Sequence, residues 1–132
     1  MTAVTPPRRD VFEYALLRVV PRIERGEHIN AGILLYCRPR GFLAARVHLD
    51  PDRLRALDRH ADVAGVRAAL GAAQTLCGGG AEAGQAAGDD AGRRFRWLTA
   101  PRSTVVQPGP VHTGLTADPE AEAERLLELL VR

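Results

Sequence analysis

The side chains best suited to chemistry are concentrated in one proline-rich segment, residues 99–116 (TAPRSTVVQPGPVHTGLT). Its three prolines exclude a helix through most of the segment, and Pro108-Gly109-Pro110 interrupts any continuous central strand. We therefore predict a long, mostly irregular segment, and such segments within small domains are often functional. The candidate binding residues that it carries are Arg102, Ser103, Thr104, Gln107, His112 and Thr113.

Arg102 is the leading candidate within this segment. A guanidinium beside two hydroxyls is well suited to receive the oxygens of a phosphate or a carboxylate. The alternative is architectural: the arginine would tie loop carbonyls together, and His112 would cap the following turn.

Arg18 is the second candidate, because strand parity predicts that it shares a mainly apolar side with Phe12, Tyr14, Leu16 and Val20. The run from Phe12 to Val20 (FEYALLRVV) is apolar on both parities, which is typical of a strand covered on both faces. A charge on such a strand needs a partner, since a buried unpaired charge costs several kcal/mol. Glu13 and Glu27 are the nearest acids, so Arg18 is either a structural ion-pair residue or an anion-binding residue.

The turn between the first two predicted strands adds a possible acid–base pair. It carries Glu27 and Asn30, and Glu27 would reach His112 if the turn and the proline-rich segment meet in space. The alternative is a solvated turn glutamate, which is the more common role of a hairpin acid.

Composition excludes several classes of enzyme. All 18 basic residues are arginine, so lysine Schiff-base chemistry, the phosphate-binding loop of nucleotide hydrolases and the strand lysine of protein kinases are absent. The four histidines and two cysteines lack metal-ligand spacing, and Ser103 lacks a nucleophile-elbow motif. Cys37 is expected to be an inert core thiol. We expect no metal and no cofactor.

The chain also lacks the marks of a secreted or membrane protein. It has no C-x-x-C pair, no apolar leader and no apolar run long enough for a membrane span. We therefore expect a cytoplasmic protein. The net charge of +2 is too small to indicate a nucleic-acid binder. The run Arg93–Trp97 (RRFRW) does interleave basic and aromatic residues, but we expect Trp97 to anchor the core.

The elements that must position these residues are those of an α+β domain spanning residues 1–132. Three strands, 12–20, 29–37 and 42–49, predict an antiparallel meander, and Arg93–Thr99 reads as a fourth strand. Helices are predicted to begin after Asp50, Asp62 and Asp118. The predicted fold is an antiparallel sheet of about four strands with helices packed on one face. We expect residues 1–11 to form a tail and residues 78–92 to form a flexible glycine-rich loop.

Four sequence runs together resemble a known family. They are YALLRVVP from Tyr14, GEHINAG from Gly26, WLTAPRST from Trp97 and PVHTGLT from Pro110. The chain resembles domain of unknown function 3037, an uncharacterised bacterial family, over about Phe12 to Val131. Members often occur beside a HipA-like kinase in bacterial genomes, so the resemblance implies an accessory role with such a kinase as partner. Its motifs coincide with the Arg18–Asn30 region and the proline-rich segment, which we expect to face each other.

The leading hypothesis is a non-enzymatic binding or accessory module with a polar cleft for an anionic group. The second is a small enzyme acting on a phosphorylated or carboxylated substrate, with Glu27 or His112 as general base. The third is single-stranded nucleic-acid binding through residues 93–97. The cleft of the leading hypothesis would be lined by Arg18, Glu27, Asn30, Arg102, Ser103 and His112.

Overall fold

The computed structural model describes residues 5–78 and 90–132. The strands are β1 (Asp10–Val19), β2 (Ile29–Cys37), β3 (Phe42–Val47), β4 (Val106–Pro108) and β5 (His112–Thr116). The helices are α1 (Pro51–Leu57), α2 (Val63–Gly78), α3 (Ala91–Thr99) and α4 (Pro119–Leu130), with a short 3-10 turn at Arg38–Arg40. These elements make an open antiparallel sheet with packed helices, which confirms the predicted α+β class.

Strand β1 is the centre of the sheet. One of its edges pairs with β2, which pairs in turn with β3, and this is the predicted meander. Its other edge pairs with β4 along Leu17–Val19 and with β5 along Asp10–Tyr14. The Pro108-Gly109-Pro110 sequence separates β4 from β5, and the Gly109 amide donates to the Leu16 carbonyl across the break at 2.8 Å. The proline-rich segment therefore supplies a split strand.

The predicted strand Arg93–Thr99 is wrong, because these residues belong to helix α3. The side chain of Asp90 caps this helix by accepting from the Arg93 amide. Phe95 and Leu98, three residues apart, share its buried face, which is helical spacing. Trp97 was also predicted wrongly: its exposed fraction is 55%, whereas Phe95 is fully buried and fills the core.

Helices cover both faces of the sheet, which differs from the predicted one-sided packing. On one face, α1, α2 and α3 pack on side chains that include Leu34 and Tyr36. On the other face, α4 packs on Ile33, Leu35 and Cys37. Alternate residues of β2 thus enter two separate cores, which is why the strand is apolar on both parities.

The predicted helix starts are confirmed. The carboxylates of Asp50, Asp62 and Asp118 each accept from a backbone amide in the first turn of α1, α2 and α4. Most of the predicted glycine-rich loop, residues 79–89, lies outside the described residues. Residue 78 is the last of α2, and residues 91 and 92 begin α3. No helix in the described ranges combines the length and the apolar character needed to cross a membrane.

Candidate functional site

Arg18 stands in a row of three polar residues on neighbouring strands. It pairs with Asn30 on β2 and with Gln107 on β4, and directly opposed residues project from the same face of a sheet. A β-bulge sets this register, because Leu17 pairs with Gly32 while Arg18 pairs with Asn30. We call these three residues, Asn30, Arg18 and Gln107, the Arg18 row.

The Arg18 row lies on the face of the sheet that α4 covers. Arg18 projects from the same side of β1 as Tyr14 and Leu16, because these residues are spaced two apart along the strand. Tyr14 and Leu16 pack against the α4 core. The Asn30 side-chain amide donates to the Leu130 carbonyl at 3.2 Å, which places the row beside the last turn of α4. Parity along β1 predicted this placement of Arg18 correctly.

The Arg18 guanidinium has no hydrogen-bond partner among the described residues. Its Nε is buried and unbonded, while the residue as a whole is only half-buried, so the terminal nitrogens are the part left open. The guanidinium lies against Gly109, where an added Cβ would be 3.1 Å from Nε and Cζ. Gly109 thus provides the flat surface on which the guanidinium rests.

Neither of the acids nearest in sequence neutralises Arg18. Glu13 forms a two-point ion pair with Arg96 of α3, with distances of 3.0 and 3.2 Å. Glu27 pairs with Arg25 in the exposed turn, and the hydrogen bond from Arg25 holds the pKa of Glu27 below its usual range. The row therefore presents one positive charge flanked by two neutral amides, a donor set suited to an oxyanion.

The structure does not bring Glu27 and His112 together. His112 on β5 pairs with Tyr14, in the middle of β1, and its ring is tilted by 35° from the Tyr14 ring, with 5.2 Å between the ring centres. Glu27 precedes Ile29, which pairs with Val19 at the C-terminal end of β1. The five residue-to-residue steps from Tyr14 to Val19 span about 16 Å along an extended strand. This separation leaves no route for a one-water proton relay between the two side chains.

Arg102 adopts the architectural role described as its alternative. Its Nε donates to the Ala100 carbonyl at 3.2 Å, and a terminal nitrogen donates to the Trp97 carbonyl. Its guanidinium carbon lies 4.6 Å from the centre of the Trp97 ring, a cation–π contact. Arg102 therefore closes the C-terminal end of α3, on the opposite face of the sheet from the Arg18 row.

The other predicted residues are divided between the two faces. The Thr104 hydroxyl donates to the Val106 carbonyl at 2.7 Å, and Ser103 is exposed. Thr113 pairs with Glu13, whose carboxylate points to α3. The predicted residues thus do not line one cleft, and Arg18, Asn30 and Gln107 are the three that come together.

Comparison with known proteins identifies a protein family whose sequence model this chain matches. The chain matches the sequence model of the family described as "Protein of unknown function (DUF3037)" over residues 14–131. The chain belongs to the DUF3037 family. The match confirms the resemblance carried by the four sequence runs. No curated protein and no solved structure matches the chain.

Two features of this DUF3037 chain were missed from its sequence. Gly109 was noted only as part of a strand-breaking turn, although its missing side chain admits the Arg18 guanidinium. The pairing of Gln107 with Arg18 was also missed, because the proline-rich segment was predicted to be irregular. Three prolines around a short apolar pair, Val105 and Val106, were the available signal for an edge strand.

Both cysteine thiols of the DUF3037 chain are buried. Cys37 is fully buried, as predicted, and its Sγ lies 3.6 Å from the Val11 carbonyl. Burial raises the pKa of Cys77 to about 11, which disfavours the nucleophilic thiolate. Within residues 5–78 and 90–132, no three His, Cys, Asp or Glu side chains are grouped to hold a metal ion.

Proposed function

We propose that this DUF3037 protein is a non-enzymatic binding module that recognises an anionic group through the Arg18 row. The observation that carries the proposal is that the Arg18 guanidinium has no hydrogen-bond or ion-pair partner among the described residues. It is held against Gly109 with a buried, unbonded Nε, and no acid of the described residues pairs with it. A charge in this position is costly to the isolated fold, and a bound oxyanion would offset that cost.

The chemistry of the row favours a carboxylate or a phosphate. A guanidinium presents its donors in a planar fork that matches two oxygens of either group. Asn30 and Gln107 flank it with neutral amides, which add donors without adding a competing negative charge. Catalysis is not required to explain this arrangement, since no carboxylate or imidazole of the described residues is hydrogen-bonded to Arg18, Asn30 or Gln107.

We propose that the anionic group belongs to a protein partner in the bacterial cytoplasm. The partner suggested by the family resemblance is a HipA-like kinase, for which this chain would serve as an accessory subunit. A single half-buried arginine would then act as an anchor, because such arginines are enriched among the residues that dominate protein interfaces.

A phosphate titration followed by NMR tests the anion site directly. The probe is inorganic phosphate at constant ionic strength, and the signal is the Nε–Hε resonance of Arg18, assigned by its absence in Arg18→Met. We expect a saturable shift of this resonance. Arg67, an exposed arginine of α2 with no ion pair in the described structure, is the matched control. A shift of Arg18 no larger than that of Arg67 would refute the site.

A further inference from the structure

A second feature, independent of the Arg18 row, lies on the opposite face of the sheet. A groove of about 680 Å³ runs between α2 and the segment from α3 to β4. Its floor includes Leu17, Val66 and Leu98, whose exposed fractions are 3%, 5% and 5%. We call it the α2 groove. Its volume lies within the range of about 300–1,000 Å³ that is typical of small-molecule sites.

The walls of the α2 groove are apolar and open to solvent. On one side, α2 presents small exposed side chains, Ala69 and Ala72, so the groove keeps its depth along the helix. On the other side, Trp97 and Val105 have exposed fractions of 55% and 41%. Apolar side chains left in water on both sides of a depression, with the large ones on one side, indicate a surface that gains free energy when it is covered.

One charged side chain of the α2 groove, Arg102, has no ion-pair partner among the described residues. Arg102 lines it, and both of its hydrogen bonds go to neutral carbonyls, while no acid in the described ranges forms an ion pair with it. The Trp97 ring holds its guanidinium in place. A fixed cation next to exposed apolar surface is complementary to a molecule with an apolar body and one anionic end.

The other charged side chains of the groove come from the α1–α2 turn. Asp58 and Asp62 line it there, beside His60. Each carboxylate already accepts from a backbone amide, Asp58 from His60 and Asp62 from Gly65. They repel an anion from this turn, so a ligand with a single negative charge is oriented with that charge at Arg102.

We propose that the α2 groove binds an amphipathic anion such as a medium-chain carboxylate. The apolar chain lies along Ala69 and Ala72, and the carboxylate lies at Arg102. From Gly65 to Leu76 the groove-facing side of α2 is about 16 Å long at 1.5 Å per residue, which accommodates an extended chain. This ligand class follows from one cation without an ion-pair partner in a groove with apolar walls.

Calorimetric titration with decanoate tests the chain-binding part of the proposal. We expect one saturable site in the wild type. Ala72→Phe fills the groove from an exposed position, so decanoate affinity falls by about tenfold or more, as expected for a blocked apolar contact surface. Ala68→Phe is the matched control, because Ala68 is also exposed on α2 but does not line the groove. Equal affinities in the two variants would overturn the proposal, as would a wild type without saturable binding.

The charged end is tested with a pair of probes and a second variant. Arg102→Gln should weaken decanoate binding about tenfold, as for a lost charge-assisted hydrogen bond, and should leave decanol binding unchanged. Arg67→Gln should alter neither. Decanoate binding that persists at wild-type strength in Arg102→Gln would contradict the assigned orientation. Arg18→Met should not change decanoate binding, which separates this proposal from the phosphate site of the Arg18 row.

Discussion

At the scale of single residues, the stability of an Arg18 variant tests whether this residue serves a ligand or the fold. If the unpaired guanidinium serves a ligand, the isolated protein gains nothing from its charge. We expect Arg18→Met, which keeps a long apolar stem against Gly109, to leave the free energy of unfolding unchanged or to raise it by about 1 kcal/mol. Urea denaturation measures this free energy.

Arg40→Met is the matched control for that measurement. Arg40 donates to the Asp10 carboxylate and to the carbonyls of Arg8 and Ala117, so its loss should lower the free energy of unfolding. A loss of about 3 kcal/mol or more in Arg18→Met would instead identify Arg18 as one half of a buried structural ion pair. That result would remove the basis of the proposed anion site.

Sequence parity could place Arg18 but could not show what surrounds it. The alternation along β1 correctly put Arg18 with Tyr14 and Leu16. Whether Glu13 was free to pair with it depended on α3, because Arg96 reaches Glu13 only from a helix packed on the opposite face. Since residues 93–99 were interpreted as a strand, this competing ion pair could not be predicted.

At the scale of elements, α3 is a segment in which hydrophobic periodicity does not distinguish a helix from a strand. Seven residues, 93–99, contain only three large apolar side chains; Phe95 and Trp97 fit a two-residue repeat as readily as Phe95 and Leu98 fit a helical one. The deciding signal was Asp90, which caps the helix but sits at the end of a glycine-rich stretch. Longer elements with clear caps, such as α4, were predicted correctly.

Helix α4 depends on its cap at Asp118. The carboxylate accepts from the Ala121 amide, and Pro119 occupies the first turn. We expect Asp118→Ala to lower the free energy of unfolding by about 1 kcal/mol, whereas Asp118→Asn keeps an accepting oxygen and should stay close to wild type. Urea denaturation of the three proteins measures the difference. Equal stability of the Ala and Asn variants would show that the cap contributes little.

At the scale of the whole molecule, the split strand explains why the predicted cleft does not exist. In an irregular segment, sequence neighbours such as Arg102 and Gln107 could converge on one ligand. In the structure, β4 sends alternate side chains to opposite faces, with Val106 entering the α2 core while Gln107 joins the Arg18 row. The sequence contained the right residues, but their division between two faces depends on a pairing with β1 that no local pattern encodes.

The same division gives the molecule two separate surfaces. The α4 face carries the Arg18 row, and the opposite face carries the α2 groove with Arg102. An accessory protein with this arrangement can bind a partner on one face while the other remains accessible. The proposed partner interaction therefore depends on Arg18, not on Arg102.

Affinity purification of the tagged protein from its native host, with nuclease treatment and mass spectrometry, tests the central claim most directly. The wild type is compared with Arg18→Met and with Arg67→Met, an exposed arginine of α2 as control. We expect a HipA-like kinase in stoichiometric amounts with the wild type and with Arg67→Met, and its loss with Arg18→Met. A wild-type protein that purifies alone, or a kinase retained equally by Arg18→Met, would contradict the account.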